Sequence, residues 1–407
     1  MDDGLLVFNA GSSSLKFALY AYTDSDDQPQ LMLRGQIAGI GAGPVFSEWN
    51  RRGESPVADE YPDLSLVGSH DDAISKVLEW IQKKAVGINL IGVGHRVVHG
   101  GGKRRSPALV TPQLMQELGS LCLLAPHHQP HNLAAIRAVA AEYPALPQVA
   151  CFDTAFHADQ PEVARRLPLP RRYRKRGVIR YGFHGLSYEF IAGAVPAYNG
   201  GAVPRRLIVA HLGNGASLCA IEDGVAKATT MGFSTLDGVM MGTRSGSIDP
   251  GVLLHLMREE GMGEAQLTEL VYNQCGLLGV SGISQDMREL LASSDPRAAE
   301  AVELYCYTLI QALGSLIGVM EGLDGIVFTG GIGEHAAEIR TSLCSKLQWI
   351  GLLLDEPANA ANGSLITQPD SRVKAWVIPT DEELVIARHT GRLIQGMRSS
   401  NNPVSAT

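Results

Sequence analysis

The chain has 407 residues, 45% of them hydrophobic and 19% charged, which is too long for one ordinary core and apolar enough for two compact domains. A formal net charge of -8 argues against a general nucleic-acid or anionic-membrane binder, and six scattered cysteines without CxxC spacing read as reduced core residues rather than a disulfide framework. Acidic Asp2 and Asp3 stand where a signal peptide needs positive charge and no apolar run is expected to reach membrane-spanning length, so a soluble, cytoplasmic protein is expected.

In chain order, "LLVFNAGSSSLKFALY" gives a strand from Leu5, a turn of small polar residues over Asn9 to Ser14, and a second strand. The stretch "GAGPVFSEWNRRGESPVADEYPD" has no clear period and is expected to hold exposed strands and turns. Asp71 and Asp72 precede Ile74, Val77, Leu78 and Ile81 at helical spacing. "LIGVGHRVV" reads as a strand. Thr111-Pro112 then supplies a cap and a first-turn proline for a helix carrying Leu114, Leu118 and Leu121.

"QVACFD" and "RLIVAHL" are further strands, a long helix is expected from Pro296 to about Gly322, and "DGIVFTG" and "AWVIPT" close the pattern. Such alternation of β-rich runs with helical patterns is the mark of α/β architecture. "DEE" after Thr380 reads as a helix cap with first-turn carboxylates, and the tail "SSNNPVSAT" is expected to fray.

The chain also repeats itself. "LLVFNAGSSSLKFAL" from Leu5 and "LIVAHLGNGASLCAI" from Leu207 are both an apolar strand, a glycine-centred polar turn and a second strand. Asn9 falls opposite His211, Gly11 opposite Gly213, and Ser12 opposite Asn214. Two such hairpins half a chain apart predict duplicated domains facing a shared cleft. Turns of this kind leave N–H groups and hydroxyls free to cradle phosphate oxygens. The Walker pattern is absent and the first turn leads into a strand, so this is no P-loop. A third glycine turn, "FTGGIGEH" from Phe328 to His335, leads from a strand into a helical pattern and suits a nucleotide.

Eight strings in order, "NAGSSSLKF", "GHRVVHGG", "DTAFH", "RYGFHG", "HLGNGAS", "MGTRSG", "FTGGIGE" and "TDEEL", together resemble the acetate and propionate kinase family over nearly the whole chain. The resemblance implies reversible transfer of the ATP γ-phosphoryl group to acetate, giving acetyl phosphate and ADP, with propionate or another short-chain carboxylate as the alternative acceptor. It implies two duplicated ribonuclease H-like domains of the actin-like ATPase and sugar-kinase superfamily around a central cleft. They are expected at residues 1–150 and 151–383, with the C-terminal helix 384–398 packed back on the first. A homodimer acting on small molecules, not on nucleic acid or membranes, is also implied.

Carried over residue by residue, Arg96, Asp153, His184 and Arg244 match the catalytic positions, and Arg96, Val98, His128 and Phe183 the acyl-substrate positions. Lys16, Ser12, His211, Leu212, Gly213, Asn214 and Gly215 match the phosphate side of the nucleotide site. Asp286, Met287 and Arg288, with Gly331, Ile332, Gly333, Glu334 and His335, match its adenosine side. Asn9 and Glu382 match the metal positions for Mg²⁺, with Mn²⁺ as the other candidate ion.

The chemistry makes the same demands without the name. A short carboxylate is already deprotonated at neutral pH, its pKa being about 4 to 5, so no strong base is required. Cations and rigid donors are, to bring an anion up to ATP and stabilise the transferring group. Asp153 is accordingly expected to position Arg96 or a water rather than to act as a base.

Four residues depart from the family pattern: His127 and Thr235 near the acyl pocket, Ser247, and His335 in the nucleotide motif. Three histidines in "APHHQPHN" invite a zinc reading, but no carboxylate or cysteine spacing accompanies them, and Pro126 and Pro130 are expected to break the helix such sites use. The basic string Arg165 to Arg180 reads as a solvated loop. An actin-like ATPase of another role is the competing class, with no use for Arg96, His184 and Arg244.

Overall fold

The computed structural model describes residues 2–11, 14–23, 26–50, 62–65, 67–85, 87–126 and 128–401. Ser12 and His127, both singled out above, lie outside the described residues. The chain forms two compact units, Met1–Ala155 with Asp381–Thr407, and Phe156–Thr380.

The first unit is built on strands β1 (Asp2–Ala10), β2 (Ser14–Thr23), β3 (Asp26–Ala38), β4 (Val45–Asn50), β5 (Ile88–Val97), β6 (Ala108–Leu109) and β7 (Gln148–Phe152), in the order β4-β3-β2-β1-β5-β7-β6. Strands β1 to β4 run antiparallel to their neighbours, whereas β5 lies parallel to β1, and β7 parallel to β5. A boundary after residue 150 would cut β7 in two, and this expectation is corrected: the strand stays whole and the first unit continues to Ala155.

The parallel step from β1 to β5 needs a crossover, supplied in part by helix His70–Lys84. Its cap is Ser69, whose hydroxyl accepts the Asp72 N–H while the Asp72 carboxylate accepts the Ser69 N–H at 2.9 Å; Asp71 and Asp72 thus lie inside the first turn. The helix buries Ile74, Val77, Leu78, Trp80 and Ile81 against Phe17 and Phe46 of the sheet. Each such fully buried side chain contributes roughly 1.5 to 3 kcal/mol.

Helix Pro112–Gly119 starts as expected, with the Thr111 hydroxyl accepting the Leu114 N–H at 3.1 Å, but stops before Leu121. Helix Glu382–Asn401 packs on β1, β3, β5 and β7. Its close seat is Gly92 and Gly94 of β5, where a Cβ would stand 1.9 Å from Ile394 and 2.3 Å from the Thr390 hydroxyl.

The second unit carries β8 (Arg206–Leu212), β9 (Ala216–Glu222), β10 (Val225–Thr229), β11 (Gly325–Thr329) and β12 (Lys374–Val377), ordered β10-β9-β8-β11-β12. Three antiparallel strands are followed by two parallel ones, the arrangement of β3-β2-β1-β5-β7. The hairpins match in detail: Asn9 and His211 are each the penultimate residue of their strands. The core joins Val209, Cys219, Val327 and Trp376 to Tyr188, Ile191 and Val195 of helix Gly185–Tyr198.

One expectation is overturned here. Helix Pro296–Val319, which ends three residues earlier than expected, is long and apolar enough to cross a membrane, with a mean hydropathy of 1.4 over an 18-residue window. Yet Ala298, Ala301, Tyr305, Leu309, Leu313 and Leu316 are buried at three- and four-residue steps, the stripe of a core helix. The basic string is also more ordered than a loop. It contains short helices Glu162–Arg165 and Arg171–Lys175, with Arg166 and Arg174 both paired to Glu162. All six cysteines are free thiols.

Candidate active site

In the first unit the carboxyl ends of three neighbouring parallel strands carry Asn9, Arg96 and Asp153, the usual place for a ligand crevice in an open α/β sheet. Asp153 extends the β7 ladder, its N–H donating to the Val97 carbonyl at 3.1 Å. Arg96 Nε donates to both Asp153 oxygens at 3.2 and 3.1 Å and Nη2 to one of them at 2.7 Å. Its Nη1 donates to Asn9 Oδ1 at 3.1 Å, and Glu382 Oε2 stands 3.8 Å from Nε. Asn9 Nδ2 in turn donates to Glu382 at 3.3 Å and to Glu383 at 3.0 Å. Asn9 also faces Lys16 directly across the hairpin, on the same face, and Lys16 is exposed.

The electrostatics follow from this packing. Burial opposes the Arg96 charge, but Asp153 and Glu382 outweigh it and hold the guanidinium above its ordinary value. Burial pushes the Asp153 carboxyl upward, with Arg96 opposing it. Asn9, Glu382 and Glu383 offer hard oxygen donors, the set suited to Mg²⁺ or Mn²⁺ completed by water and phosphate oxygens. No cluster of three or more His, Cys, Asp or Glu side chains forms a full metal cage among the described residues.

The histidine-rich segment serves this site through the side chains of Gln129 and Asn132, which hold backbone groups around it. Helix Gln129–Glu142 starts directly after His128 with Pro130 in its first turn, so that proline opens a helix rather than breaking one. Buried Asn132 accepts the Val98 N–H at 2.9 Å and donates to the Ala10 carbonyl at 2.8 Å. Gln129 brackets His99, accepting its N–H and donating to its carbonyl. Val98 is thereby held, buried, beside Arg96.

In the second unit His184 caps helix Gly185–Tyr198 with a left-handed backbone, φ 56°, an uncommon conformation for a residue with a side chain. Its Nδ1 shares a hydrogen bond with the Ser217 hydroxyl at 2.8 Å. Its ring stacks on His211 with centroids 4.3 Å apart, and His211 Nδ1 is bonded to Ser187 Oγ at 2.8 Å. Phe183, just before it, is buried, and its carbonyl is bonded to His157 Nε2 at 2.9 Å.

A Cβ on Gly215 would meet Arg244 Nη2 at 2.5 Å and His184 Nε2 at 3.5 Å, so the absence of a side chain there lets both side chains close on the turn. Arg244 Nη1 donates to the Thr235 carbonyl at 2.6 Å, and no carboxylate pairs with it among the described residues. Burial pushes its guanidinium down to about 10. A cation so placed without an acid is suited to a ligand anion. Thr235 contributes its backbone here, and Ser247 binds Asp237 Oδ1 at 2.5 Å.

The same unit holds a cavity of about 940 Å³. It gathers Gly213, Asn214, Asp286, Met287, Arg288, Gly331, Ile332 and His335 from three sequence-distant segments. Gln285, Leu291, Ala292, Ala336 and Glu338 complete the lining without any sequence signal. His211, Leu212, Gly215, Gly333 and Glu334 do not line it. Glu334 turns back instead, accepting the Gly330 N–H at 2.8 Å at the start of helix Gly330–His335. Behind that helix, fully buried Arg340 donates to the carbonyls of Gly333, Glu334 and Asn359.

Comparison with known proteins places this geometry. The model of the acetokinase family matches residues 4–388. An acetate kinase of Rhodopseudomonas palustris is 51% identical over 401 residues, 98% of this chain and 100% of that protein. Among solved structures, a propionate kinase from Francisella tularensis aligns with a TM-score of 0.86 at 33% identity over 96% of this chain and 99% of that one. The acetate kinase of Porphyromonas gingivalis aligns at 0.83 and 34% identity over 96% and 100%.

Proposed function

The chain belongs to the acetokinase family, and on that premise we propose that it moves the γ-phosphoryl group of ATP to acetate, forming acetyl phosphate and ADP, and back again. It is a phosphotransferase with a carboxyl acceptor, built from two duplicated ribonuclease H-like α/β halves. In the forward step an acetate oxygen forms a bond to the γ-phosphorus, the bond from that phosphorus to the β–γ bridging oxygen breaks, and ADP leaves with the electron pair. Acetate needs no base to become a nucleophile, so the residues work by position and charge.

Arg96 is the cation for the acceptor carboxylate, and Asp153 fixes its plane; their bidentate contact supports that reading. Val98 and Phe183 supply apolar surface for the methyl group, with His128 near the acyl substrate. Arg244 and His184 stabilise charge spreading onto the transferring oxygens. The observation that carries this part is Arg244, a cation without an acid partner among the described residues, set against the Gly215 turn. Lys16, Ser12 and the turn His211 to Gly215 serve the phosphates, and the cavity lined by Asp286, Met287, Arg288, Gly331, Ile332 and His335 serves adenosine. Glu382 and Asn9 would hold Mg²⁺, which when bound neutralises phosphate charge.

A propionate preference is the second reading, favoured by the Francisella likeness. A hydroxamate assay with acetate, propionate, butyrate and glycolate decides it: acetate is expected first and propionate second, and a clear win for butyrate overturns both. We also propose a homodimer in the cytoplasm. Helix Pro250–Glu259 buries none of its residues and exposes Val252, Leu254 and Met257, a surface for a second copy, and six free thiols suit a reducing compartment. A monomeric mass in sedimentation equilibrium would refute the dimer.

A further inference from the structure

Arg34 on β3 and Tyr20 on β2 lie outside the residues assigned to acceptor, nucleotide and metal, yet both reach one side chain next to that machinery. Asp381 immediately precedes Glu382. Its Oδ1 accepts the Leu384 N–H at 3.0 Å, capping the helix that starts at Glu382, and also takes the Tyr20 hydroxyl at 3.4 Å. Its Oδ2 accepts Arg34 Nη2 at 2.8 Å. One carboxylate therefore starts the helix and ties that start to two strands of the sheet.

The two jobs are separable. The cap alone suffices to begin a helix, while the ties fix where its first turn lies along β2 and β3. That turn carries Glu382 and Glu383, which must meet Asn9 at the end of β1 at 3.3 and 3.0 Å. Asn9 is held by the sheet itself, through its pairing with Lys16 on β2. A slide of the helix start relative to β2 would open both contacts together. Arg34 is a half-exposed residue with no other assigned task, and Asp381 holds its charge in place.

We infer that Arg34 and Tyr20 are positioning residues for the metal carboxylates, acting through Asp381 to set Glu382 and Glu383 against Asn9. The inference rests on Glu382 as a metal ligand. Outer partners of metal ligands typically set affinity by 10- to 100-fold, and one further shell out the effect of Arg34→Gln is expected near tenfold.

The test is titration of Mn²⁺ into the full chain with ADP present, followed by electron paramagnetic resonance. Arg34→Gln is expected to raise the Mn²⁺ dissociation constant on the order of tenfold, Tyr20→Phe by less, and Arg34→Lys to recover most of the loss. KM for acetate stays unchanged while the divalent-ion requirement rises. Wild-type Mn²⁺ affinity in Arg34→Gln and Tyr20→Phe, with affinity lost in Glu382→Gln, would overturn the inference and leave the metal assignment standing. Wild-type affinity in Glu382→Gln as well would overturn both.

Discussion

Arg96 and Asp153 meet edge to edge, with two guanidinium nitrogens on one carboxylate and the third on Asn9. The orientation of Arg96 is thus set before any acceptor arrives. Asp153→Asn keeps the shape and removes the charge that holds the fork, so kcat is expected to fall on the order of 100-fold, as for misplacement of about an ångström. Steady-state rates across pH and Mg²⁺ concentration check this. Near-normal turnover with unchanged metal dependence would remove Asp153 from any positioning role.

Arg244 bears the opposite relation to its surroundings, a cation held by a single carbonyl among the described residues. Arg244→Ala is expected to lower kcat by roughly a thousandfold or more, the scale of a lost charge-stabilising arginine in phosphoryl transfer, with KM for ATP little changed. Single-turnover rates measure the chemical step directly. A loss below tenfold would assign transition-state charge to other residues.

Arg340 is fully buried and spends its donors on three backbone carbonyls and on Asn359 and Asn362 side chains. Arg340→Ala strands those acceptors, and a stability loss of roughly 3 kcal/mol is expected. Because Gly333 and Glu334 belong to helix Gly330–His335, which lines the cavity proposed for the nucleotide, ADP affinity should weaken as well. Urea midpoints and ADP titration read the two effects, and a change under about 1 kcal/mol would contradict the account.

His95 and His157 are buried neutral side chains whose pKa burial lowers to about 4. An unfolded histidine titrates near 6.5, so the unfolded chain binds protons that the folded one refuses. Their stabilisation is complete above about 6.5 and is lost as pH falls from there through about 4. Tm measured from pH 7 to pH 4 should fall across that window, and His157→Gln should flatten the slope. An unchanged slope would mean that the acid sensitivity lies elsewhere.

Local chemistry made much of this molecule readable from its residues. The hairpin pair was legible because a tight polar turn between two apolar strands is a short-range pattern, and Thr111-Pro112 because cap and proline act within one turn. The helical spacing after Asp71 and Asp72 did not identify Ser69 as the cap, since Ser69 and Asp72 cap reciprocally and only their geometry says which residue is outside the helix. Arg34, Asn132 and Glu383 were invisible for another reason. Each acts on a residue far away in sequence: Arg34 reaches Asp381 across 347 positions, and Asn132 reaches Ala10 across 122. Helix Pro296–Val319 was legible as a helix but not in its apolar length, because a core helix and a membrane helix share an apolar average and differ in where the stripe points.

The first unit is interrupted, leaving at Ala155 and resuming at Asp381. During translation its sheet therefore waits, with Gly92 and Gly94 of β5 uncovered, while the whole of Phe156–Thr380 is made. The unit encoded later is the first to have all its parts outside the ribosome. The helix that finally covers β5 is the one that opens with Glu382 and Glu383. Sealing the sheet and delivering those carboxylates are consequently one event, so a chain cut short before residue 382 loses the carboxylates proposed for the metal and bares an apolar face at the same moment.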